Sequence, residues 1–281
     1  MNRSLLLWII ALIVTLLAAR WQRASGPTHT YSGTASVGGA SFRYALERTH
    51  AYARAGGRRV ESDHRVAVGG LPGDATGVVE WRPYGGREPW IAVPMRRAGG
   101  ALVAELPRQP VAGKLWYRVK LTRGTESLLI PPERPLAIRF RDDVPVWVLV
   151  PHILFMFAAM LLSTRAGLEA FVPRPALAAL TWWTLGTLVV GGFVLGPFVT
   201  HYAFGGWWTG FPLGHDLTDN KTLFALLGWV AAAIAVGRSR IARAWVACAA
   251  LLLLLVFAIP HSWSGAEPPY APGDRVSAPA R

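Results

Sequence analysis

Two kinds of pattern alternate along the chain. Five stretches are apolar almost throughout, at about 5–19, 144–164, 176–200, 222–236 and 244–260. Between the first two lies a long segment where short β-branched and aromatic runs are punctuated by Gly, Pro and Asp. In Val78-Val-Glu-Trp-Arg82 and Leu115-Trp-Tyr-Arg-Val-Lys-Leu121 apolar and polar residues alternate, the period of a half-buried strand. Runs at 41–46, 66–68, 76–84, 101–106, 114–121 and 136–140 predict six to eight strands in an immunoglobulin- or fibronectin-like sandwich. No βαβ alternation, phosphate loop or nucleophile elbow accompanies them.

The apolar runs predict a five-span helical membrane bundle, giving an α+β membrane protein overall. A bilayer crossing needs roughly 17–25 residues, so the runs at 144–164 and 176–200 suffice and the last two must borrow from their flanks. The expected domains are an anchor at 1–20, a β-sandwich at 28–143, a four-helix membrane domain at 144–260 and a Pro/Gly/Ala-rich tail at 261–281. Leu17 occupies the upstream small position of a cleavage site, so the first run reads as an uncleaved anchor.

Orientation follows from the connections. Arg165 and Arg174 flank one, and Arg238, Arg240 and Arg243 fill another. The positive-inside rule places both in the cytoplasm, along with the N-terminus. The sandwich and C-terminus then lie in the periplasm of a bacterial inner membrane. Trp21, Trp147, Trp207, Trp208 and Trp263 fall at the outer interface and Trp245 at the inner one.

Composition agrees: 52% of residues are hydrophobic and 16% charged, with a net charge of +13. Of the 29 Lys and Arg, most lie between the first two apolar runs. That basic segment suits lipid headgroups or an acidic protein partner in the periplasm or membrane. No motif points to nucleic acid. Cys248 is the only cysteine, which excludes an intramolecular disulfide, a Cys-based zinc site and a c-type haem attachment.

Candidate chemistry collects at one end of the bundle. His152, His201, His215 and His261 all fall on the outer side in this topology. His50 and His64 flank an Arg/Gly-rich loop and read as solvated surface residues. A histidine inside an apolar run is costly, so His152 should face a partner, and Met156 and Met160 follow it on one helix face. The stretch GGWWTGFPLGHDLTDNKT, residues 205–222, adds Trp207, Trp208, Pro212, His215, Asp216, Asp219, Asn220 and Lys221. Helix capping accounts for one or two of these polar groups. The remainder predict a lid over a polar site.

Such a site would bind haem b through His152 with His201 or His261, or copper, zinc or iron through these histidines with His215, Asp216 or Asp219. The first expectation is therefore a protein for electron transfer or metal handling. A scaffold or assembly factor whose histidines are structural is the alternative. A transporter ranks last, because five spans do not form two repeats and the apolar runs hold no acid. No reaction is assigned.

Overall fold

The computed structural model describes residues 2–260. His261, Trp263 and the tail therefore lie outside the described residues. The chain divides into two compact units, 27–143 and, together, 2–26 with 144–260.

The first unit holds twelve strands, more than the apolar runs predict, because short polar segments also pair. A seven-stranded sheet runs β4 (Arg58–Val60), β3 (Thr49–Ala55), β12 (Leu136–Asp142), β10 (Lys114–Arg123), β6 (Thr76–Pro83), β7 (Ile91–Pro94), with β11 (Glu126–Ile130) also on β10. A three-stranded sheet runs β5 (His64–Gly69), β9 (Ala101–Leu106), β8 (Arg96–Ala98). The hairpin β1 (Tyr31–Val37) and β2 (Ala40–Leu46) is separate. Pairing is antiparallel except between β3 and β12. Positive φ at Gly38 and Gly39 suits the two-residue turn that sets Val37 opposite Ala40.

All three sheets contribute to one core. Val37, Phe42 and Leu46 meet Tyr52, Trp81, Tyr117 and Phe140 from the large sheet and Val66, Leu102 and Leu106 from the small one. On β10, Leu115, Tyr117, Val119 and Leu121 are buried in alternation, so Trp116, Arg118 and Lys120 point the other way. Buried tyrosines also fasten loops. The Tyr52 hydroxyl donates to the Gln109 carbonyl and accepts from the Gln109 N–H, and Tyr117 donates to the Glu47 carbonyl at 2.5 Å.

The second unit is helical. Four helical stretches are long and apolar enough to cross a membrane: α1 (Arg3–Ser25), α2 (Val146–Glu169), Leu177–Phe204 and α5 (Leu217–Arg238). The stretch Leu177–Phe204 comprises α3 (Leu177–Leu188), a π-helical segment (Val189–Leu195) and α4 (Gly196–Phe204). The fifth expected span is α6 (Ala242–Ala258), 17 residues or about 26 Å, short of a hydrocarbon core about 30 Å thick. Helices α2, α3, α5 and α6 pack in a ring, each against the next, with α1 against α2 and α6. Ala159, Met160, Leu188, Ala225, Trp229, Ala249 and Leu253 fill the interior.

Arg165 does not lie in a connecting loop as the apolar run suggests. α2 continues past Thr164 because Glu169, four residues on, pairs with Arg165 at 2.6 Å and both are buried. Neutralising the arginine along the helix lets the helix outrun its apolar stretch. Glu169 also accepts the Ala176 N–H at 3.2 Å, and the Arg165 guanidinium lies 5.4 Å from the centre of the Trp8 ring. The apolar run 144–164 holds no acid, but the helix that extends it, α2, ends on one.

Candidate functional site

At the opposite end of the helical unit the histidines take separate positions. Pro197 lies just inside α4 within a continuous helix, where it has no N–H to donate and its ring crowds the preceding turn. The helix widens immediately before it into the π segment, and the Gly196 N–H reaches the Gly191 carbonyl. His152 bonds that same carbonyl through Nδ1 at 2.9 Å. A carbonyl only accepts, so Nδ1 carries a proton, and in the neutral ring Nε2 keeps its lone pair.

The two helices close tightly here. A Cβ at Gly191 would stand 2.9 Å from the Met156 Sδ, and one at Gly196 would stand 3.8 Å from His152 Cε1. Met156 thus fills the space that Gly191 leaves, while Met160 sits in the bundle core.

His201 lies in the last turn of α4. Its ring stacks on Trp207 at 4.1 Å with planes 9° apart, and its Nδ1 is buried without a hydrogen-bond partner among the described residues. Trp207 also meets Phe198 edge-on at 5.1 Å. Trp208 stacks on Phe193 at 5.5 Å and donates to the Phe211 carbonyl at 3.1 Å.

The polar residues of 205–222 fasten the loop to the helix that follows it. Gly205, at φ 82°, ends α4 in the left-handed conformation that favours glycine. Asp216 is the N-cap of α5 and accepts the Thr218 and Asp219 N–H groups at 2.7 and 3.3 Å. Asp219 accepts the N–H and hydroxyl of Thr209 at 2.6 and 3.0 Å. Asn220 accepts the Phe211 N–H at 2.6 Å, and Asp216 returns its own N–H to the Thr209 carbonyl at 2.9 Å. Gly210 lies so close to α5 that a Cβ there would stand 2.7 Å from Asp219 Cβ.

Lys221 is buried and donates to the Ile259 carbonyl at 2.5 Å, tying α5 to the end of α6. Trp21 makes the matching bond from α1 to the Ala258 carbonyl at 3.1 Å. His215 is exposed, and so are Phe211, Pro212 and Leu213 at the loop tip.

Capping and fastening therefore involve Asp216, Asp219, Asn220 and Lys221, more of the stretch than sequence reasoning assigns to it. Among the described residues no group of three or more His, Cys, Asp or Glu is arranged to hold a metal ion. His152 is placed by the Gly191 carbonyl and His201 by Trp207, while His215 is exposed.

A second candidate lies on the β-unit, on the face of the large sheet turned away from the core. Arg82 and Arg118 both approach Trp90, with guanidinium carbons 4.6 and 4.4 Å from the ring centre. Arg118 pairs with Glu80 at 2.6 Å. Next to them Tyr84 stacks on Trp116 at 4.5 Å, and the Lys114 ammonium lies 4.6 Å from the Tyr84 ring. Register sets this out: Trp116 stands opposite Arg82 and Arg118 opposite Glu80. Sequence reasoning missed the face, although the signal was present. The polar phase of the two quoted strands is Glu-x-Arg on one and Trp-x-Arg-x-Lys on the other.

His50 and His64 also depart from their expected role as solvated surface residues. His64 is buried and the pair is in contact, because β3 and β5 bring them together from different sheets. Burial pushes the His64 imidazole down to about 4, with His50 adding to the shift, and burial lowers His50 as well.

Compared with protein-family models, curated proteins and solved structures, the chain finds no match.

Proposed function

We propose that the protein is a multi-pass membrane scaffold that presents an immunoglobulin- or fibronectin-like sandwich to an acidic surface of a protein partner. In this reading α6 joins the four longer helical stretches as a fifth span of a bacterial inner membrane. The N-terminus is cytoplasmic, and the sandwich and C-terminus are periplasmic. Arg238 at the end of α5, Arg240 in the connection and Arg243 at the start of α6 support that orientation. Exposed Trp207, Phe211 and Leu213 at the tip of the 205–222 loop suit lipid headgroups on the other side.

The observation that carries the reading is the face around Trp90. Trp, Tyr and Arg are the residue types that dominate binding hot spots. Here they stand together on and beside one face of the large sheet, where Arg82 and Arg118 approach Trp90, Lys114 approaches Tyr84, and Arg118 pairs with Glu80. A cationic face of this kind steers towards and selects an acidic partner. The loop's internal hydrogen bonds support the structural role this reading gives to its polar residues.

Labelled polyglutamate serves as a probe of acidic protein surface for the detergent-purified chain. Binding should weaken steeply with salt, and Arg82→Glu/Arg118→Glu should lower it by at least about ten-fold. Equal binding by the variant, or none by the parent, overturns the reading. Preferential binding of phosphatidylglycerol vesicles also overturns it, by assigning the face to lipid.

A second reading rests on His152. A histidine whose Nδ1–H is held by a carbonyl leaves Nε2 in the form that ligates a metal or haem iron. His201, with its buried Nδ1, or His261 would be its partner in a haem b or transition-metal site for electron transfer or metal handling. Oxidised and reduced optical spectra with elemental analysis decide between the two. A Soret band, or near-stoichiometric copper, zinc or iron, that His152→Ala abolishes favours the second reading. A colourless, metal-free protein from cells supplied with both leaves the scaffold.

A further inference from the structure

We infer that His50 and His64 form a binding site for a divalent transition metal, copper(II) or zinc(II), that joins the two larger sheets of the β-unit. Their Nδ1 atoms are 3.2 Å apart. Two ligands on a tetrahedral metal with bonds of about 2.05 Å stand about 3.3 Å apart, so the pair already has chelating separation. As a hydrogen bond the same contact is at the long end of the normal range.

The surroundings prepare the rings for a metal. The Ser62 hydroxyl lies 3.2 Å from His50 Nε2, and an outer hydrogen bond of that kind fixes the orientation of a ligating imidazole. Tyr52 and Phe140 lie 5.1 and 5.2 Å from the His50 ring, and the two histidine rings stand at 80° to each other.

His50 comes from β3 of the seven-stranded sheet and His64 from the start of β5 in the three-stranded one. Their shared metal would close the space between sheets at this end, with water completing the coordination. In the metal-free protein one proton occupies that position between the nitrogens. On binding it moves to the Nε2 of its own ring, so no proton need leave the pair.

Copper(II) and zinc(II) are added singly to the full-length protein in detergent. Copper(II) should give an electron paramagnetic resonance spectrum with hyperfine structure from two imidazole nitrogens at one equivalent, and zinc(II) should raise the melting temperature. His50→Gln, with unchanged circular dichroism, should weaken binding by roughly ten-fold or more. Ser62→Ala should weaken it less.

If His50→Gln fails to fold, the unaltered protein answers the question. Zinc(II) should protect His50 and His64, above the other histidines, from diethyl pyrocarbonate as mapped by mass spectrometry. Unchanged affinity in folded His50→Gln, a spectrum without nitrogen coupling, or protection confined to other histidines each overturns the proposal. The last outcome would return attention to His152 and His201.

Discussion

Glu169→Ala should lower the stability of the helical unit by about 3–5 kcal/mol. The change removes the partner of a buried arginine. Arg165 reaches Glu169 at 2.6 Å, and its Nε is already buried without a partner among the described residues. The mutation also takes the acceptor from the Ala176 N–H, where α2 turns into α3. The melting temperature in detergent should fall by roughly 10 °C for a unit of this size.

Arg165→Met/Glu169→Leu should recover most of the loss, because a matched apolar pair leaves no buried charge. That double variant separates a missing partner from a missing side chain. Glu169→Ala within 1 °C of the parent would show that water reaches the arginine and that the pair is not buried in solution.

Asp219→Ala should cost about 2–4 kcal/mol and loosen the 205–216 loop. One carboxylate oxygen accepts two bonds from Thr209, and bonds to charged groups contribute about 1.5–3 kcal/mol each, less whatever water restores. Asp219→Asn, which keeps an acceptor, should cost about half as much. Asp216→Ala removes the N-cap bonds, a loss of about 1 kcal/mol. Limited proteolysis should cut Asp219→Ala between Gly205 and Asp216 sooner than the parent protein. Resistance equal to that of Asp216→Ala would mean that the Thr209 bonds do not hold the loop.

This loop separates what could be read from what could not. Asp216 ahead of an apolar run is a legible cap, since capping is local and its spacing is fixed by the helix. The Asp219–Thr209 and Asn220–Phe211 bonds span ten and nine residues through a reversed chain. No local rule specifies that path. Polar groups that seemed too numerous for a structural role acquired partners only when the loop folded back.

His50 and His64 show the same limit. They are 14 residues apart, and the sequence between them is rich in Arg and Gly. Their strands belong to different sheets, so neither the alternation within a strand nor a turn signal predicts that they touch. The Trp90 face was half legible. Alternation on β6 and β10 assigned Arg82, Trp116 and Arg118 to one side, but Trp90 lies in the loop before β7 and is brought back by the chain.

By itself, the sequence determined the long helices, the separate β-region and the phase of its strands. These follow from long apolar runs, from alternation of period 2 and from Gly and Pro turns, all short-range properties of the chain. Only the tertiary structure decided which polar groups found partners. Asp219 meets Thr209 across the folded-back loop, His152 meets the Gly191 carbonyl of the π segment, and His50 meets His64 between sheets. A buried polar group requires a partner, but the partner's identity depends on which distant segments packing brings within about 3 Å.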